Sequence, residues 1–124
     1  MYNNEAQAAT SKKLLDPVSA ANTAAATSAW ISAADAEGDI MFINQVGALT
    51  GSITWTIETA TDNSGTGGVA ITPNEGAYAA GAANQIQKRT VNKNAGKGYF
   101  RCVGTIVTGP ALVAVSISYR SKIV

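Results

Sequence analysis

The first side chain to look for in a search for chemistry is histidine, and none occurs among the 124 residues. Its absence removes the usual general base, the Ser-His-Asp and Cys-His nucleophilic systems and most zinc sites together. The single cysteine, Cys102, has no imidazole to activate it and no second thiol for an intrachain disulfide. Spaced to share a strand face with Phe100 and Ile106, it reads as a small core hydrophobe. Asp35, Glu37 and Asp39 fall at alternate positions, which in an extended chain puts three carboxylates on one side, where oxygen ligands can hold Ca²⁺. No EF-hand order or further ligand-rich segment accompanies them, so they read in preference as a solvated acidic loop before a strand. The glycine-rich stretch DNSGTGG, residues 62–68, lacks the Lys-Ser/Thr ending of a phosphate-binding loop and reads as a turn. Trp30 and Trp55 could stack on sugar rings, although buried aromatic packing is the commoner use of tryptophan. No catalytic residue, cofactor or metal ligand set is expected, and the chain is expected not to be an enzyme.

Charge narrows the partners. Only 14% of residues are charged against 46% hydrophobic, so much of the surface is Ala, Gly, Ser, Thr and Asn. Such a surface solvates weakly and packs readily against another protein. The net charge of +1 gives no field to draw nucleic acid or anionic lipid. Lys88 and Lys93 to Arg101 do interleave with Tyr99 and Phe100, but without the aromatic-rich signature of a single-strand nucleic-acid surface. Every acidic residue precedes Gly76, while Lys88, Arg89, Lys93, Lys97, Arg101, Arg120 and Lys122 follow it. In a β-fold the two halves either neutralise each other side by side or polarise the molecule toward complementary partners. No apolar run has the length to cross a bilayer, and Asn3, Asn4 and Glu5 do not resemble a signal peptide, so neither membrane contact nor export is expected.

The elements that must position these residues are strands. Residues 1–16 are polar and alanine-rich and read as a flexible arm. A helix over 6–15 would be marginal in water, and Asp16-Pro17 would break it. Residues 17–124 read as one β domain, too short to divide into two cores. An early strand is placed at 26–33. Ile40 to Ile43 form an unbroken apolar run of the kind buried on both faces. Residues 51–61 alternate, with Ile53, Trp55 and Ile57 on one side. Short strands follow at 69–72 and 84–91, the latter anchored by Ile86, with a surface excursion at 76–83 between them and a turn at 92–98. Residues 99–108 and 111–123 flank Gly109-Pro110, a tight reversal expected to make them an antiparallel pair. In the last strand Val113, Val115, Ile117 and Tyr119 share a face. About seven strands joined by Gly- and Asn-rich turns describe an all-β antiparallel sandwich or small barrel.

The segment YFRCVGTIVTGPALVAVSISYRSK (99–122), with ANQIQKRTVN and GDIMFINQVGALTGSITWTIETATD upstream, resembles the capsid decoration or cement proteins of tailed phages. The block RCVGTIVTGP is its most specific part, and the likeness runs from about Gly38 to Lys122. It implies a sandwich of jelly-roll type that sits on the outer face of a phage head as copies of itself, dimer or trimer, and bridges major capsid protein subunits. It carries no catalytic residues. Lys12, Lys13, Arg101, Arg120 and Lys122 are the candidate contacts in that role. The other reading open at this point is a carbohydrate- or receptor-binding sandwich of a virion fibre, motivated by the two tryptophans and the 35–39 carboxylates.

Overall fold

The chain folds as one long antiparallel ribbon rolled up on itself. The structure, a computed structural model, describes residues 9–121. Its strands are Ala9–Ala20 (β1), Ile31–Ser32 (β2), Ala36–Leu49 (β3), Ile53–Ala60 (β4), Val69–Ile71 (β5), Gln85–Asn92 (β6), Tyr99–Ile106 (β7) and Ala111–Ser121 (β8), with a single 3-10 turn at Lys93–Ala95. β1 pairs with β8, β2 with β7, β3 with β6 and β4 with β5, all antiparallel. Two further pairings, β3 with β8 and β4 with β7, close the roll into sheets of order β1-β8-β3-β6 and β2-β7-β4-β5. Two four-stranded sheets connected this way make a jelly roll. Among the described residues no helix is long and apolar enough to cross a membrane.

The core lies between the sheets and is built by alternation. Ile40, Phe42 and Val46 of β3, Ile53, Trp55 and Ile57 of β4, Phe100 and Cys102 of β7, and Val113, Val115, Ile117 and Tyr119 of β8 all point inward and are buried. The rings of Phe42 and Phe100 meet across the layer, centroids 6.4 Å apart and tilted by 60°. Gly104 occupies an inward position on β7 where a Cβ would come within 2.8 Å of Ile53 Cδ1 and 2.9 Å of Trp55 Cζ3. Its missing side chain lets the segment around Ala26 close over the sheet, where the Gly104 N–H donates to Ala26 O.

Several expectations need correction. From Ala9 onward the expected arm is the outer strand of a sheet, and β1 makes one of the longest pairings in the molecule. It escapes a search for alternation because register shifts at Lys13/Leu15 and Leu15/Val18 break the two-residue period. Residues 1–8 and 122–124 lie outside the described residues, and with them Lys122 and the end of the strand expected at 111–123. The early strand shrinks to Ile31–Ser32 and a bridge from Thr27 to Val103, because the Asn22 side chain accepts the Ala25 N–H and turns the chain there. The Ile40–Ile43 run is buried on one face only, with Met41 and Ile43 half-buried. Gly109-Pro110 reverses the chain, but β7 and β8 do not pair: the turn carries it from one sheet to the other. Ile86, read as the anchor of its strand, faces solvent, while Gln87 and Val91 point inward.

Candidate functional site

Four strands of the larger sheet build an open apolar groove of about 500 Å³ on its outer face. Its floor follows the strand register: Ser19 of β1 lies opposite Leu112 of β8, and Ala114 of β8, Gln45 of β3 and Ile86 of β6 form a row. Gly47 leaves the trough open, since a Cβ there would sit 3.3 Å from Leu112 Cβ. Leu112 and Ile86 remain 48% and 59% exposed, and Val18 lines one side. Among the described residues no charged side chain lines the groove. Large aliphatic side chains gathered in one uncharged depression mark a place for another apolar surface.

The sheet edges, by contrast, are closed to strand addition. β1 carries Lys12, Lys13 and Pro17 and is irregular at two points, all devices that spoil an edge as a template. At Thr90 the outer side of β6 is taken by the β5–β6 connection. There the Asn74 N–H donates to Thr90 O, and the Glu75 carboxylate accepts from the Thr90 N–H at 2.8 Å and the Thr90 hydroxyl at 2.6 Å. Those bonds hold the Glu75 carboxyl below its ordinary value, the Thr90 hydroxyl contributing most. β2 and β5, at the edges of the smaller sheet, are two and three residues long.

The charged residues singled out from sequence that lie among the described residues do not form one patch. Lys13 pairs with Asp16 at 3.1 Å, both largely exposed, a contact that contributes little. Lys12 lies over the Tyr119 ring at 5.6 Å, and the Tyr119 hydroxyl donates to Asp35. Arg120 stands opposite Glu37 in the β3–β8 register. Arg101 sits on the other sheet, its Nε 2.6 Å from Glu58 and its guanidinium 4.5 Å over the Trp30 ring. Acidic residues of the first half thus meet basic ones of the second across neighbouring strands, so the two halves neutralise each other there. The 35–39 carboxylates are separated by a bulge at Gly38, where φ is +79°. Among the described residues no group of three or more metal-ligating side chains is gathered.

Both tryptophans serve the fold. Trp55 is buried in the core, and Trp30 is held between Arg101 and the 62–68 loop, whose Gly65 abuts the indole. Asp62 shapes that loop by accepting the Ser64 and Thr66 N–H groups, and the Thr66 side chain, followed by those amides, lowers its carboxyl from the ordinary value. A small cavity of about 150 Å³ lies between β4, β5 and Tyr78. The Tyr78 hydroxyl donates to Asn44 Oδ1 at 2.6 Å, and Asn44 Nδ2 donates to Cys102 Sγ at 3.0 Å. Burial pushes the Cys102 thiol up to about 12, so it stays protonated and unreactive where it lies. This buried polar chain and the groove had no separate signal in the sequence, because each joins residues from three or more segments.

No protein-family model and no curated protein matches the sequence. Among solved structures, the chain is similar to the SPBc2 prophage-derived protein YomS, with a TM-score of 0.54 and 12% identity over 89% of this chain and 92% of that one. PirA aligns over 95% of this chain and 97% of its own at a TM-score of 0.43 and 7% identity. The CBM22-1-GH10 modules of xylanase 10B from Clostridium thermocellum, solved with xylohexaose, align over 94% of this chain and 27% of that one, with a TM-score of 0.48 and 10% identity. The likeness to YomS shows a shared fold, an all-β sandwich.

Proposed function

We propose that this protein is a non-catalytic structural component of a phage particle, which binds the outer surface of the head through the groove face and bridges major capsid protein subunits. The observation that carries the reading is the uncharged groove with Leu112 and Ile86 exposed, on a molecule whose sheet edges are closed. Docking then occurs face to face, through apolar contact rather than ion pairs or strand addition. The resemblance of residues 38–122 to decoration proteins supports it, as does a fold shared with a prophage-derived protein. On a repeating lattice each contact can be weak, because many act together.

The carbohydrate-binding reading is less favoured, since Trp55 is buried, Trp30 packs against Arg101, and the bulge at Gly38 divides the 35–39 carboxylates. The test is the copy number of this protein relative to the major capsid protein in purified particles, with heat resistance of heads made without it. A fixed stoichiometry and a loss of heat resistance support the proposal. Absence from particles, with unchanged heads, refutes it.

A further inference from the structure

The β5–β6 connection crosses the open side of the sandwich, and it is fastened unevenly. Its ends are held by backbone bonds: Asn74 N–H to Thr90 O at 2.8 Å, Gly81 N–H to Ile53 O at 2.7 Å, and Asn84 N–H to Gly47 O at 2.9 Å. Between them, the backbone–backbone bond is a local one, Gly76 N–H to Pro73 O. The middle is pinned by side chains instead. Glu75 holds Thr90, Gln87 Nε2 donates to Ala79 O, Arg89 Nη2 reaches Ala77 O at 3.5 Å, and Tyr78 enters the core with Arg89 over its ring. The other residues from 76 to 80 are glycine or alanine and bring little apolar area of their own. The seat is also imperfect, because Gln87 Oε1 and Arg89 Nε are buried without a hydrogen-bond partner, which costs stability while the segment is down. Segments with few buried apolar contacts open locally, well below the free energy of global unfolding.

We infer that residues 75–80 are a strap that lifts as a unit about Asn74 and Gly81, withdrawing Tyr78 and opening the Asn44–Cys102 pair to small solutes while both sheets stay folded. Tyr78 is the outer member of the hydrogen-bonded chain that ends on the Cys102 sulfur, so its departure uncovers the route to the thiol. The cysteine serves as the reporter of this motion, which does not rest on the proposed docking role, since no residue of 75–80 lines the groove.

The test is the rate at which a small neutral alkylating reagent labels Cys102 in the full chain, followed in the native buffer and in low concentrations of urea. Tyr78→Phe removes the hydroxyl bond to Asn44 and keeps the ring, and is expected to speed labelling about fivefold, the worth of one such bond. Ile117→Val weakens the core beyond the strap's reach and is expected to leave the rate unchanged, although it lowers the global stability. Low urea is expected to change the rate little, because lifting a short strap exposes little surface. Labelling that rises with urea as steeply as global unfolding, or that accelerates in Ile117→Val in proportion to its lost stability, would overturn the inference. So would a Tyr78→Phe rate equal to the parent's.

Discussion

Replacing Leu112 and Ile86 together by serine removes the apolar relief of the groove and leaves the fold beneath it untouched. Their exposures of 48% and 59% leave roughly one full aliphatic side chain in water. Burying that much against a partner contributes about 1.5–3 kcal/mol, which corresponds to an affinity loss of about ten- to two-hundredfold when it is removed. The stability cost is small, since both side chains already face solvent on the outer side of the sheet. The assay is co-sedimentation of the purified protein with heads made without it, alongside thermal unfolding of each variant. Val107→Ser is the control: Val107 is 70% exposed in the turn after β7 and does not line the groove. The reasoning fails if Leu112→Ser/Ile86→Ser binds within twofold of the parent at an unchanged midpoint, or if Val107→Ser weakens binding as much.

Gly104→Ala drives a methyl group against Ile53, Trp55 and Ala26 and is expected to destabilise the fold by about 1–3 kcal/mol, read as a lowered urea midpoint. Asn44→Ala leaves the buried Tyr78 hydroxyl without its acceptor, a cost of about 1–3 kcal/mol that shrinks when Tyr78→Phe is added; additive losses in the double variant would contradict the hydrogen bond. Arg101→Ala breaks the Glu58 pair and uncovers Trp30, and because both charged groups are about a third exposed the loss is held to about 1 kcal/mol, with a red shift of tryptophan emission. Glu75 has its folded value depressed below the ordinary 4.5, so its hold on Thr90 is complete above that pH and is lost as pH falls through the folded value. The Thr90 amide resonance should therefore titrate with a midpoint below 4.5, and a midpoint at or above it would contradict the Thr90 bonds.

Alternation carried the sequence reading as far as it applies. β4 and β8 were legible because each buries one face against the other sheet and shows the other to solvent, so Ile53, Trp55 and Ile57, or Val113 to Tyr119, stand out at every second position. β6 misleads for a definite reason. Its inward residues include Gln87 and Arg89, which find acceptors at Ala79 and Ala77 of the strap, beside Val91, while its largest aliphatic residue, Ile86, faces out into the groove. Hydrophobicity alone therefore assigns that strand the wrong face. β1 hides behind its bulges, and the Gly109-Pro110 turn looks the same in sequence whether it joins partners in one sheet or passes between two. The groove needs rows from four strands brought into register, which no single segment records.

The same features that obscure β1 and β6 in the sequence determine how the molecule can associate. Bulges, lysines and proline along β1, and the bonds of Asn74 and Glu75 to the Thr90 backbone on β6, hinder the strand addition that a partner would need. Of the two faces left, that of the smaller sheet commits its principal charged and aromatic side chains internally, Arg101 to Glu58 and Trp30, and Lys97 to Gly67 O. Within the groove on the other face, Leu112 and Ile86 stay exposed and no charged side chain is among the described lining residues. A surface of that kind gains from burial and loses nothing by giving up ion pairs, so its contacts resist screening by salt. Under the proposed docking role, attachment would rest on shape and apolar area, which favours the groove on the outer side of β1-β8-β3-β6 over the lysines and arginines that a reading of charge alone would choose.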